Sequence, residues 1–317
     1  MNELGRTGIR VTSVGLGTWA IGGGGWEFAW GPQDDRRSAL TIRRAVERGI
    51  NWVDTAPVYG TGHSEEVVGA AVETLSPRPS VFTKCSLRWS TERKISHSLK
   101  AESLREEVEA SRRRLRSETL DLVQVHWPEP DSDIEEGWRA LADLKDRGLV
   151  RHIGVSNFSV EQMERANAIA PVKTLQPPYS LVAPEVEREI LPYARARGIG
   201  VIVYSPMGCG LLTGTMTADR VAKMPADDWR KRDTDFREPR LSRHLALAHL
   251  LGQVGQRHGG RTAAEVAIAW TLSNPAVTAA IVGGRSPEQV DGFAGAMTLQ
   301  LTREDLAEID RFRTDHP

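Results

Sequence analysis

Short β-branched runs alternate with longer helical patterns along nearly the whole chain, and this alternation constrains the fold more than any other feature. Gly49, Gly148 and Gly198 each stand where a helical pattern should stop, and a strand pattern follows within a few residues. That order is typical of β-α-β units built around a parallel sheet. Eight predicted strands in strict alternation favour a (β/α)8 TIM barrel, and a chain of 317 residues suits one such domain.

The predicted elements have the following bounds. The predicted strands are 11–17, 51–54, 80–84, 120–126, 152–156, 174–176, 201–204 and 279–282. The predicted helices are 36–48, 64–74, 101–116, 134–147, 160–169, 185–197, 242–257 and 262–272. Asp34 or Asp35, Ser103 and Ser159 are predicted to cap three of these helices.

Two segments fall outside the repeat. Residues 2–10 contain a turn-like Arg6-Thr7-Gly8 and predict a β-hairpin that closes the bottom of the barrel. Residues 207–240, after the seventh strand, predict a long loop of the kind that usually serves as a lid or binding loop, with a disordered insertion as the alternative. No composition break or linker divides the chain, so residues 1–317 are predicted to form one domain.

A dinucleotide-binding Rossmann domain is disfavoured. Its first strand should be followed by G-x-G-x-x-G opening a helix. The glycine run at 22–25 follows the first strand, but no glycine there is placed to open a helix. We interpret the run as a flexible loop at the barrel mouth.

Charge and cysteine content narrow the class of protein further. The formal net charge of −1 provides no electrostatic footprint for nucleic acid or an anionic membrane. Cys85 and Cys209 are far apart and fit no metal or disulfide framework, which favours a reducing compartment. The N-terminus has no apolar core of signal-peptide length, so a cytoplasmic protein is predicted. Homo-oligomerisation is left open.

Four ionisable side chains follow strand patterns: Asp54, Tyr59, Lys84 and His126. In a parallel barrel such positions share one mouth, where active sites are built. Tyrosine is a weak acid with a pKa of ~10, and a nearby ammonium lowers that pKa. A carboxylate in turn keeps the lysine charged. The set therefore predicts a site that delivers a proton to a developing alkoxide.

With these motifs the chain resembles the aldo-keto reductases, from residues 4–19 to residues 281–290. The resemblance rests on Asp54-x₄-Tyr59-Gly60, the strand-end Lys84, His126-Trp127-Pro128, and the segments 154–158 and 204–214. It is greatest to the bacterial, potassium-channel-β-subunit-like branch of the family.

This resemblance implies hydride transfer from a nicotinamide, NADPH, to an aldehyde or ketone, with a sugar or a secondary-metabolite carbonyl among the candidates. Tyr59 would be the general acid, Lys84 would lower the pKa of Tyr59, Asp54 would hold Lys84, and His126 would orient the carbonyl oxygen. The implied cofactor-binding residues are Thr18, Trp19, Asp54, Ser156, Asn157, Gln176, Tyr204, Ser205, Pro206, Met207, Gly208, Gly210, Leu211, Gly283, Arg285 and Gln289.

Within that set, the resemblance implies that the carboxamide of the nicotinamide binds Ser156, Asn157 and Gln176. It also implies that the nicotinamide ring stacks on Tyr204. The segment from Ser205 to Leu211 would run along the pyrophosphate, and Arg285 would meet the 2′-phosphate. The family often carries an acid–Asn pair for adenine where this chain has Gly292 and Phe293.

The chain has nine tryptophans, and several of them fall in predicted mouth loops. Trp26, Trp30, Trp89 and Trp127 are predicted to form walls for a flat or sugar-like substrate. No metal is predicted. Two alternatives stay open: a catalytically weak NADPH-binding regulatory subunit of a partner protein, and a barrel hydrolase, which needs paired carboxylates where only Asp54 is convincingly placed.

Overall fold

A computed structural model describes residues 1–316, and eight parallel strands in it close into a barrel. The strands are β1 (Asn2–Glu3), β2 (Arg10–Val11), β3 (Val14–Gly17), β4 (Trp52–Asp54), β5 (Ser80–Cys85), β6 (Leu87–Trp89), β7 (Ile95–His97), β8 (Leu120–Val125), β9 (Val150–Ser156), β10 (Thr174–Gln176), β11 (Gly200–Val203) and β12 (Ala279–Gly283). The helices are α1 (Asp35–Glu47), α2 (His63–Glu73), α3 (Ala101–Arg114), α4 (Ile134–Asp146), α5 (Val160–Asn167), α6 (Ile190–Arg197), α7 (Ala218–Ala222), α8 (Arg240–Arg257), α9 (Ala263–Ser273), α10 (Pro287–Ala294) and α11 (Arg303–Asp315).

The barrel order follows the chain: β3, β4, β5, β8, β9, β10, β11 and β12, with β12 pairing back to β3. All of these pairs are parallel. The predicted (β/α)8 TIM barrel is therefore confirmed. None of the helices in residues 1–316 combines the length and apolar character needed to cross a membrane.

The barrel interior has an apolar lower layer and a polar upper layer. Trp52, Phe82, Leu122 and Ile202 form one buried cluster inside the barrel. Because side chains alternate across a strand, the inward residue two positions further along each strand lies nearer the mouth. Those next residues are Asp54, Lys84, Gln124 and Tyr204. The polar layer at the carboxyl ends of the strands is where the candidate site forms.

The ring of Trp52 fills the lower part of the barrel. Its centroid lies 5.2 Å from that of Phe82. A Cβ at Gly15 would lie 2.1 Å from the Trp52 ring, so the absence of a side chain there makes room for the indole.

The N-terminal hairpin is confirmed. β1 and β2 pair antiparallel. Leu4 and Val11 are fully buried in the same cluster as the lower barrel layer, so the hairpin covers the bottom of the barrel. The predicted strand 11–17 is in fact divided: Val11 belongs to the hairpin and Val14–Gly17 to the barrel.

Two further expectations about the elements are corrected, and one element was not predicted. Ser103 is not a cap, because α3 begins at Ala101, whose amide is capped by Glu136 from the next helix. The predicted helix 185–197 is a 3₁₀ turn at Glu185–Glu187 followed by α6. An antiparallel hairpin of β6 and β7, which the sequence did not indicate, follows β5 at the barrel mouth.

The segment 207–240 contains more secondary structure than the predicted loop. It holds a 3₁₀ turn at Gly208–Thr213, helix α7, and 3₁₀ turns at Trp229–Lys231 and Thr234–Phe236. Thr217, Asp228 and Asp233 cap the last three of these through their side chains. Such caps satisfy amides at each turn start and stabilise pieces too short to be recognised by periodicity.

Candidate active site

Asp54, Tyr59, Lys84 and His126 meet at the mouth of the barrel. Lys84 Nζ lies 2.5 Å from Asp54 Oδ1 and 3.4 Å from the Tyr59 hydroxyl, and it donates to the carbonyl of Thr55 at 3.0 Å. The rings of Tyr59 and His126 pack edge to face with centroids 5.9 Å apart. The four side chains that the sequence singled out therefore form one cluster.

Burial dominates the electrostatics of the buried pair. Burial raises the pKa of Asp54 and lowers the pKa of Lys84, while their mutual attraction and hydrogen bond oppose both shifts. The side chains are 3% and 1% exposed, which leaves each charge dependent on the other. The ion pair at 2.5 Å favours the charged forms of both partners, but it offsets only part of the effect of burial.

The electrostatics of Tyr59 correct the expectation from the sequence. Burial, followed by the charge of Asp54, holds the pKa of Tyr59 well above its ordinary value. Lys84 was expected to lower that pKa, but its ammonium is 2.5 Å from Asp54 and 3.4 Å from the phenol, so the carboxylate largely offsets its effect. The phenol is therefore protonated throughout the neutral range.

His126 is neutral in the same range. Burial, and then the positive charges of Lys84 and His97, hold the pKa of the imidazole well below its usual value. A neutral imidazole has one N–H donor and one acceptor nitrogen. The site thus presents a phenol O–H and an imidazole close together, with an ammonium behind the phenol.

A cleft of about 670 Å³ runs from this cluster across the barrel mouth. Tyr59, His126 and Asp54 line one part of it, while Lys84 lies beneath Tyr59 and is not in the lining. The cofactor-binding residues predicted from the sequence that line the cleft are Thr18, Trp19, Asp54, Ser156, Asn157, Gln176, Tyr204, Ser205, Pro206, Met207, Gly210, Gly283, Arg285 and Gln289. Gly208 and Leu211 do not line it, and Cys209 does.

The amide and hydroxyl groups next to the cluster are tied together. Asn157, with a φ of +62°, donates from Nδ2 to the carbonyl of His126 and accepts from the Tyr204 hydroxyl at 2.9 Å. Ser156 donates to the carbonyl of Gln176 at 2.7 Å. These bonds orient Asn157, Tyr204 and Ser156 before any ligand binds.

Cations line the far end of the cleft. The Arg285 guanidinium donates to Gln33 Oε1 at 2.9 Å, to the carbonyl of Trp30 at 3.0 Å and to that of Pro32. Burial and the charge of Arg230 lower the pKa of Arg285. Arg230 also lines the cleft.

The segment 207–240 reaches Arg285 by contacting the mouth loop 19–33. Trp229 stacks on Trp19 with centroids 5.3 Å apart, and its amide donates to the carbonyl of Ala29. Arg230 lies over the ring of Trp30 and forms a buried ion pair with Asp228. These contacts cover one side of the cleft. The sequence did not pair Trp229 with Trp19, because stacking between distant loops leaves no local pattern.

The aromatic residues predicted to contact substrate separate into three groups. Trp26 and Trp127 line the cleft beside Tyr59 and His126, together with Val58, Leu87 and Ile95. Trp30 lines the cleft but lies next to Arg230 and Arg285. Trp89 does not line it: its ring lies 5.9 Å from the guanidinium of Arg114. Trp89 is thus the one of the four predicted substrate-binding tryptophans that lies outside the cleft lining.

Comparisons with known proteins agree with this geometry. The profile of the aldo/keto reductase family matches residues 13–314. Aldo-keto reductase YhdN of Bacillus subtilis (strain 168) is 40% identical over 306 residues, covering 96% of this chain and 90% of that protein. The NADH-specific methylglyoxal reductase of Escherichia coli (strain K12) is 34% identical, covering 95% of this chain and 94% of that protein.

A solved structure supports the same relationship. The glycerol dehydrogenase AKR11B4 from Gluconobacter oxydans has a TM-score of 0.90 and 38% sequence identity, covering 99% of this chain and 95% of that chain. The chain belongs to the aldo-keto reductase family, and it is an NAD(P)H-dependent oxidoreductase.

Proposed function

We propose that the protein reduces an aldehyde or ketone to an alcohol with NADPH, and that Tyr59 is the general acid. The observation that carries the proposal is the position of the Tyr59 hydroxyl, 3.4 Å from the buried Lys84 ammonium at one end of the cleft. A bound nicotinamide cofactor supplies the hydride. The residues of the chain supply orientation and the proton.

The protonation states suit this direction of reaction. A phenol with a raised pKa holds its proton at neutral pH and can release it as negative charge develops on the carbonyl oxygen. His126, neutral because its pKa is lowered, can donate a second hydrogen bond to that oxygen. Lys84 then stabilises the phenolate that remains, since an ammonium nearby favours the ionised phenol.

The chemistry along the cleft fits a nicotinamide dinucleotide. Ser156, Asn157 and Gln176 provide amide and hydroxyl groups next to the catalytic cluster, and Tyr204 offers a ring. Ser205 and Gly210, both with positive φ, line the middle of the cleft with little side-chain bulk. Arg230 and Arg285 at the far end suit phosphate. The substrate would occupy the remaining apolar end, beside Trp26 and Trp127.

The acid assignment is tested by Tyr59→Phe. This change removes the proton donor and retains the ring, so kcat for an unactivated aldehyde should fall by about 10²–10⁴-fold while cofactor affinity stays near wild type. Steady-state reduction of an aldehyde panel and a cofactor titration measure both quantities. A mutant that keeps more than about a tenth of the wild-type kcat would show that another group is the acid.

The preference for NADPH rests on Arg285. Its three hydrogen bonds to loop 30–33 fix the guanidinium at the cleft and leave two of its five N–H groups for an anion. The 2′-phosphate is the only difference between the two cofactors, and a fixed guanidinium recognises phosphate well. Lys231 and Arg232, which follow Arg230, donate to the carbonyls of Met224 and Glu27 and do not line the cleft.

Arg285→Ala should weaken NADPH binding about ten- to a hundredfold, because a charge-assisted contact is worth roughly 1.5–3 kcal/mol. NADH binding should change much less. Arg232→Ala is the matched control, since it removes a cation from the neighbouring segment without touching the cleft lining. Titrating both cofactors against the three proteins measures the effect. Equal weakening of NADPH and NADH, or a wild type that prefers NADH, would contradict the assignment.

A further inference from the structure

A buried chain of amide hydrogen bonds connects the backbone of one strand to the catalytic carboxylate. Gln124, an inward-facing residue of β8 with no exposed surface, donates from Nε2 to the carbonyl of Val155 at 3.4 Å. Its Oε1 accepts from Gln176 Nε2 at 2.8 Å. The same Gln176 nitrogen donates to Asp54 Oδ2 at 3.0 Å.

The orientation of both amide groups in this series is fixed, because the groups at its two ends can only accept hydrogen bonds. A backbone carbonyl has no proton to donate, so the amino group of Gln124 must face Val155 and its oxygen must face Gln176. The carboxylate of Asp54 requires the amino group of Gln176 as well. Within residues 1–316, no hydrogen bond reaches Gln176 Oε1, and this side chain lines the cleft.

We propose that Gln124 is a positioning residue that fixes Gln176 with its oxygen toward the cleft, where it accepts a hydrogen bond from the amino group of the nicotinamide carboxamide. Asp54 alone would hold the Gln176 amide by one bond and allow it to rotate about that bond. The second bond, which Gln176 Nε2 donates to Gln124 Oε1, fixes the amide plane. This inference rests on the proposed function, since it assigns the orientation of the cofactor at the same site.

The experiment compares two cofactors that differ only at the carboxamide of the nicotinamide. In 3-acetylpyridine dinucleotides a methyl ketone replaces the carboxamide, so the acceptor oxygen is kept and the amino donor is lost. Dissociation constants of oxidised NADP and its acetylpyridine analogue are measured by quenching of tryptophan fluorescence. If the wild type binds NAD more tightly, the corresponding NAD pair is used.

The proteins are wild type, Gln124→Met, Gln176→Met and the double variant. Thr174→Val is the matched control, because Thr174 is a fully buried barrel residue whose hydroxyl has no hydrogen-bond partner within residues 1–316. Gln124→Leu replaces Gln124→Met if the latter does not fold. Gln176→Met removes the acceptor itself, so it defines how strongly the natural cofactor is preferred over the analogue without this contact.

Wild type and Thr174→Val should prefer the natural cofactor by about tenfold, as expected for one buried hydrogen bond. Gln124→Met should reduce this ratio to about threefold or less. The double variant should match Gln176→Met, since the two residues act through one contact. A Gln124 variant that keeps the full ratio would overturn the inference.

The other outcomes separate this inference from the proposed function. A wild type that reduces carbonyls but binds both cofactors equally would overturn the carboxamide contact and leave the proposed function in place. A wild type that binds none of the four dinucleotides would overturn both.

Discussion

Tyr59 depends on close backbone contact between the turn that carries it and the mouth loop. Gly60 has a φ of +64°, and a Cβ built there would lie 2.1 Å from the carbonyl oxygen of Gly22. A Cβ at Gly22 would lie 2.6 Å from the amide nitrogen of Gly60. Any side chain at either position would force the two segments apart. The glycine of the Asp54-x₄-Tyr59-Gly60 motif is therefore needed to place the phenol.

Gly60→Ala should reduce kcat at least tenfold, because moving the acid by a fraction of an ångström disturbs the aligned geometry that catalysis requires. Gly49→Ala is the control: Gly49 has a φ of +87° and no atom within 4 Å of the added Cβ. Both variants should lose roughly 1–2 kcal/mol of stability from the left-handed conformation. Gly60→Ala should lose more because of its clash with the Gly22 backbone, and only Gly60→Ala should lose activity. Kinetics and urea unfolding of both variants measure this. An equal loss of activity in both would argue against the backbone contact.

At the scale of elements, a buried ion pair connects helices α2 and α3 behind the catalytic strand. Glu65, with no exposed side-chain surface, accepts from Arg114 Nε at 2.7 Å, from Thr83 at 2.6 Å and from Ser111 at 3.2 Å. Arg114 is the inward-facing member of a run of three arginines at the end of α3. Arg113 is 68% exposed and pairs with Glu109, as does the less exposed Arg112.

Arg114→Ala should lower the free energy of unfolding by about 3 kcal/mol, because it leaves the Glu65 carboxylate buried without its partner. Arg113→Ala, on the same helix with a side chain 68% exposed, should cost at most about 0.5 kcal/mol. Urea unfolding of both variants at pH 7 measures the difference. Similar small losses would show that Glu65 is satisfied without Arg114.

At the scale of the whole molecule, one buried carboxylate couples global stability to pH. Glu107 of α3 accepts from the amide of Ser86 at 2.9 Å, where the chain leaves β5 with a φ of +84°. Burial raises the pKa of Glu107 from 4.5 to about 7, against the hydrogen bonds of Ser103 and Ser86. The folded protein therefore binds this proton more tightly than the unfolded chain does.

Because the pKa is raised on folding, the unfolded state loses this proton first, and the free energy of unfolding should fall as pH rises from about 4.5 to 7. Glu107→Gln removes that dependence. Its stability relative to wild type should therefore increase by ~2.5 kcal/mol between pH 5 and pH 8. Glu106→Gln, whose side chain is 57% exposed, is the control and should show almost none of this change. Urea unfolding at both pH values provides the measurement, and parallel curves for Glu107→Gln and wild type would contradict the shift.

Local patterns predicted the features that a short stretch of chain encodes. Ser159 caps α5 as expected, because the capping box with Gln162 lies within four residues. Ser103 failed as a cap because its competitor, Glu136, comes from another helix. Trp89 lies outside the cleft, and its contact with Arg114 of α3 joins two elements, so no local pattern indicated it.

The sequence by itself determined the eightfold alternation and the inward positions on each strand, since both follow from periodicity and from the alternation of side chains. It therefore brought Asp54, Tyr59, Lys84 and His126 to one mouth. Only the tertiary structure decided how the charges there interact: Lys84 is closer to Asp54 than to Tyr59, and burial then raises the pKa of the phenol. It also decided the stacking of Trp229 on Trp19 and the series of hydrogen bonds that joins Val155, Gln124 and Gln176. Distances between groups far apart in sequence, and the solvent that packing excludes, exist only once the barrel has closed.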